Sequence, residues 1–93
     1  MMARVWLLDS EGLIQLRLYV LDYEHTARGL ELMLLCMPQE QQRVLADCTR
    51  VALESNMKVV YDVEGLQLEV VNGPTITRLL WRADNGAETD NGA

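Results

Sequence analysis

The tetrapeptide Asp9-Ser10-Glu11-Gly12 recurs as Asp62-Val63-Glu64-Gly65, each time between apolar runs. No other feature constrains the fold as tightly. Asp at the first position and Gly at the fourth suit a type I turn closed by a left-handed glycine, the geometry of a bulged hairpin. Arg4-Val5-Trp6-Leu7-Leu8 leads into the first copy, and Leu13 to Val20 leads out. Met57 to Tyr61 leads into the second, and Leu66 to Val71 leads out. The expectation is two hairpins of one design, with strands at 4–8 and 13–21 and a second pair within 57–71.

The strands following the turns alternate. Ile14, Leu16, Leu18 and Val20 fall on one side and Gln15, Arg17 and Tyr19 on the other, while Leu66, Leu68 and Val70 oppose Gln67 and Glu69. A period of two marks half-buried antiparallel strands. In phase, Ile14–Leu18 matches Leu66–Val70, which raises an internal repeat of a hairpin plus a third strand. Arg17 and Glu69 then occupy equivalent places and could face each other as a pair.

Residues 22–37 support two readings. Tyr23, Ala27, Leu30, Leu34 and Met37 recur at helical spacing, so 23–37 could form a second helix. Gly29 and the all-round apolar run from Leu30 favour the other reading, a polar loop at 22–29 and a doubly buried strand at 30–36. Residues 38–55 read as the main helix. Pro38 suits its first turn, Glu40 complements its dipole, and Val44, Leu45, Cys48, Val51 and Ala52 make an apolar face, with Asn56 as the stop. Asn72-Gly73 gives a tight turn, and the β-branched stretch from Thr75 to Arg82 a last strand.

The fold class expected is α+β: an antiparallel sheet of five to six strands in two meanders, with one helix at about 38–55 packed on it. Residues 1–83 form a single domain. The acidic, glycine-rich 84–93, in which Asp-Asn-Gly-Ala occurs twice, is expected to be a disordered tail.

Composition narrows the functional classes. Fourteen acids against eight basic residues give a net charge of −6, and the basic residues are scattered singly. That speaks against nucleic acid, whose phosphates demand clustered Lys and Arg. The longest apolar run, Leu32 to Met37, is far short of the ~20 residues that a membrane helix requires. Charges at Asp9 and Glu11 interrupt any signal-peptide core, so a cytoplasmic, soluble protein is expected. Cys36 and Cys48 fit no redox or zinc spacing and read as buried thiols.

His25, the sole histidine, sits on a polar stretch with no catalytic geometry implied by its neighbours Asp22 and Glu24. Two carboxylates at each hairpin tip are too few for calcium. No phosphate loop, metalloprotease or nucleophile-elbow motif occurs. No enzyme activity, cofactor or metal is therefore expected. Large side chains that a thin core would leave outside are the remaining signal: Trp6, Tyr19, Met33 and Trp81, with Arg17 and Glu69. The expected function is a non-enzymatic protein-interaction module (an adaptor, small inhibitor or assembly factor) working through an exposed sheet face and acidic surface, as a homodimer. The alternatives are a sensor holding an apolar or aromatic molecule between sheet and helix near Cys36, Cys48, Leu16 and Leu68, and, third, a small enzyme without a motif.

Overall fold

The computed structural model describes residues 3–53 and 59–83. The class is α+β, with eight strands in two four-stranded antiparallel sheets and one short helix. In chain order these are β1 (Ala3–Leu8), β2 (Ile14–Val20), β3 (Asp22–Thr26), β4 (Gly29–Leu35), α1 (Gln39–Val44), β5 (Arg50–Leu53), β6 (Val59–Asp62), β7 (Gln67–Asn72) and β8 (Ile76–Arg82). Sheet A has the order β2-β1-β5-β6 and sheet B the order β3-β4-β8-β7. The expected count of five to six strands falls short by β3, a polar edge strand with little apolar signal, and by β5, whose residues lie within the expected helix. In β3, Tyr23 alone packs on the core.

One core fills the space between the sheets. Val5, Leu7, Val20, Leu32, Val51 and Leu79 are fully buried, and Trp81 and Leu53 nearly so. The sheets cross rather than align: His25 at the end of β3 stacks at 4.2 Å on Tyr61 of β6, the far edge strand of sheet A. Strand β3 thus runs across the ends of the sheet A strands, as in orthogonal β packing.

The first turn forms as its residues require. The Gly12 N–H donates to the Asp9 carbonyl, Gly12 is left-handed at φ 85, and the register shifts between Leu7 and Leu8. That bulge sets Ile14 opposite Leu8 on the outer side, 40% exposed, and not with Leu16 and Leu18 as the alternation implied.

The second Asp-x-Glu-Gly is not a hairpin. Strand β6 pairs with β5 and strand β7 with β8, so residues 63–66 carry the chain from sheet A to sheet B. The turn starts one residue later: the Leu66 N–H donates to the Val63 carbonyl, and Gly65, at φ 84, takes the third position of a type II turn. The same four residues thus build two different turns.

The hairpin repeat fails with it, since Ile14–Leu18 and Leu66–Val70 belong to different sheets. A different two-fold relation is present. Exchanging β1–β4 with β5–β8 reproduces both strand orders. The β1–β5 pairing centres between the Trp6–Ala52 and Leu7–Val51 pairs, and the β4–β8 pairing on Leu32 and Leu79. The unit of this topology is four strands spanning both sheets.

Residues 30–36, read as a strand, are strand β4, and the second-helix alternative for 23–37 does not occur. The polar loop expected at 22–29 is strand β3 plus the two-residue turn Ala27-Arg28, inside the Thr26–Gly29 pair.

The helix expected over 38–55 is one and a half turns, Gln39–Val44, followed by a 3-10 turn at Leu45–Asp47. Cys48 is already extended, and Arg50–Leu53 is a central strand between β1 and β6. Strand geometry buries Val51 and Leu53 together and turns Ala52 outward. Burying those two side chains is worth about 1.5–3 kcal/mol each, which outweighs the few tenths per residue that helix propensity offers. The expected stop at Asn56 and the tail at 84–93 lie outside the described residues.

Candidate functional site

Strand alternation divides each sheet into a core side and an outer side, and the two outer sides differ. On sheet A the outer residues form cross-strand rows. One row is Arg17, Trp6, Ala52 and Val60, and the next is Ile14, Leu8, Arg50 and Asp62. Beyond the first row Tyr19 pairs with Arg4, whose guanidinium lies 5.5 Å from the ring centroid. Tyr19 is 61% exposed and Val60 53%. Leu8, Trp6 and Ala52 are half-buried. The result is an apolar centre rimmed by arginines.

Arg17 and Arg50 are exposed, and among the described residues neither lies in an ion pair. Asp62, the cross-strand neighbour of Arg50, accepts the Glu64 N–H through its side chain.

The outer side of sheet B pairs its arginines with its own carboxylates. Arg78 lies 3.9 Å from Glu31 and Arg82 3.7 Å from Glu69. Exposed pairs of this kind contribute ~0–1 kcal/mol, but they leave the arginines partnered. Leu80 is covered among them, and Met33 is half-buried. A shallow cleft of about 360 Å³ opens between the β3–β4 turn and the end of β8, lined by Glu24, Arg28, Glu31 and Arg82 among others. It carries both signs of charge.

Of the six contact residues named from sequence, the structure brings Trp6, Arg17 and Tyr19 together on sheet A. Glu69 and Met33 lie on the outer side of sheet B. Trp81 is 2% exposed and is a core residue, packed where β8 crosses the centre of sheet B. Arg17 and Glu69 do not meet, because they lie on the outer sides of different sheets. Sequence reasoning missed Val60, Ala52 and Arg50, because the first two were placed by a hairpin and a helix that do not form. The signal that could have found Arg50 and Ala52 was the alternation Arg50-Val51-Ala52-Leu53, hidden inside a helical pattern.

A polar knot anchors α1 to sheet B. Thr77, fully buried, accepts the Met37 N–H at 3.0 Å and donates to Asn72 Oδ1 at 3.2 Å. The Gln42 amide donates to the Met37 carbonyl and to Asn72 Oδ1, each at 2.9 Å. The buried Thr77 hydroxyl and Met37 N–H are thus both paired, as buried polar groups require.

The remaining candidates have structural roles. The Asp9 carboxylate accepts the Glu11 and Leu13 N–H groups and the Gln15 amide. The Leu13 N–H, above all, holds its carboxyl below the usual range. Cys48 is buried and donates to the Val44 carbonyl; desolvation, then Asp47 and Asp9, push its thiol up to about 11. Cys36, expected to be buried, is exposed. His25 is on a strand rather than a loop, and its register partner is Leu30 on the core side, away from Glu24. Among the described residues, no three of His, Cys, Asp and Glu converge as a metal site, and no helix is long and apolar enough to cross a membrane.

Fold and surface together define a small α+β domain of two crossed four-stranded antiparallel sheets, with one apolar, arginine-rimmed outer face. No protein-family model matches the chain, and neither a curated protein nor a solved structure matches it.

Proposed function

We propose that the chain is a non-enzymatic protein-interaction module whose docking surface is the outer face of sheet A. The observation that carries this reading is the continuity of Trp6, Ala52, Val60, Leu8 and Ile14 across four strands, with Tyr19 beside them. Aromatic anchors and arginine are the residues that contribute most at protein interfaces, and apolar groups at the centre of a polar rim match interface anatomy. On the outer side of sheet B the exposed apolar residues Leu35 and Val71 stand among arginines that already pair with Glu31 and Glu69.

The small-ligand reading gains no such support. Leu16 and Leu68 pack on the core, Cys48 is buried, and none of the three lines the 360 Å³ cleft. The homodimer, through this face or a sheet edge, rests on no further observation.

Affinity isolation from the source cell tests the proposal with Trp6→Ser/Val60→Ser and with Val71→Ser on sheet B. One stoichiometric partner, retained by the Val71 variant and lost by the double variant, is expected. Loss through Val71→Ser alone would overturn it.

A further inference from the structure

The same face also specifies the kind of partner, given the docking role proposed for it. Size comes first. Four strands at ~4.8 Å spacing and four to five residues at ~3.3 Å give a flat footprint of about 300 Å². A stable globular interface covers roughly 800 Å² per partner. A face this small suits an extended segment, of which about six residues would cross it.

Charge comes second. The chain carries −6 overall. Yet among the described residues the rows around Trp6 and Leu8 present Arg17 and Arg50 against Asp62. Arg17 and Arg50 are exposed, and no carboxylate of the described residues lies in an ion pair with either. They stand two strands apart on either side of the Trp6–Leu8 centre. Guanidinium groups so placed recognise carboxylates bidentately.

We infer that the outer face of sheet A binds an extended acidic peptide segment of a partner protein, whose apolar side chains rest on Trp6, Ala52 and Val60 and whose carboxylates meet Arg17 and Arg50. Single-stranded nucleic acid could also use aromatic and arginine side chains on a sheet. The aliphatic surface of Leu8, Ile14 and Val60, which offers bases no ring to stack on, favours the peptide.

Three acetylated octapeptides test this, alternating Leu with Glu, Ser or Lys, together with an octathymidylate. Amide chemical shifts of the labelled chain report where and how tightly each binds. The Glu peptide is expected to shift Trp6, Arg17, Ala52 and Val60, to weaken with added salt, and to lose about tenfold in affinity (~1.4 kcal/mol) in Arg17→Ala and in Arg50→Ala. Circular dichroism confirms that both variants fold. Ser or Lys peptides binding the face as well as the Glu peptide would overturn the inference and leave the docking role standing. Octathymidylate binding there while no peptide does would overturn both.

Discussion

Replacing Thr77 with Val isolates what the polar knot contributes. The two side chains have nearly the same shape, so the change opens no cavity. The Met37 N–H loses its acceptor in a buried site, and an orphaned buried donor costs about 1–3 kcal/mol. Asn72 Oδ1 keeps the Gln42 amide as donor, so it adds little. The new methyl recovers up to ~0.8 kcal/mol of apolar burial. The expected net loss is about 1–2 kcal/mol. For a domain of this size that lowers Tm by roughly 4–16 °C, and it lowers the urea midpoint without changing the slope. Gln42→Ala combined with Thr77→Val should show a coupling of about 0.5 kcal/mol or more, since both touch Asn72 and the Met37 peptide. A Thr77→Val protein melting within 2 °C of wild type would refute the reasoning, because the Met37 N–H would then need no partner.

Three further outcomes are expected from the same geometry. Gly29→Ala should cost about 3 kcal/mol or more by thermal melt, since the added Cβ would run into the Trp81 carbonyl oxygen and force β4 from β8. At pH 8, iodoacetamide should modify exposed Cys36 and spare buried Cys48 in the native chain, by intact mass. Because the Cys48 thiol is raised in the fold, its contribution to stability is complete below pH 9 and declines as pH rises toward about 11. The Asp9 carboxyl is lowered in the fold, so its contribution is present above the ordinary value of 3.8 and is lost as pH falls through the depressed value; Asp9→Asn should flatten the acid limb of a melting curve.

What the sequence revealed was mostly local. The Asp9 turn was readable because its chemistry lies within five residues, and strand β4 because an apolar run of that length suits a strand, although only Leu30, Leu32 and Leu34 are buried and the other side is partly open. The Asp62 turn misled for the same reason. A turn motif specifies a change of direction and not the partner of the next strand, and Val63–Leu66 directs the chain into the other sheet. Residues 50–53 misled because Val51 and Ala52 fit a helical face as well as a strand, and only pairing with β1 and β6 decides between them. At the site, Trp6, Arg17 and Tyr19 were found by alternation within one hairpin. Their neighbours Ala52, Val60 and Arg50 arrive from the distant half of the chain, and Trp81 joins the core because β8 is a central strand.

The most direct test of the docking surface is photo-cross-linking in the source cell, with a benzophenone side chain at Val60 on sheet A or at Val71 on sheet B, both exposed. The account predicts one discrete adduct from Val60, absent when Arg17→Ala and Arg50→Ala are added, and none from Val71. An adduct from Val71 with nothing at Val60 would contradict it.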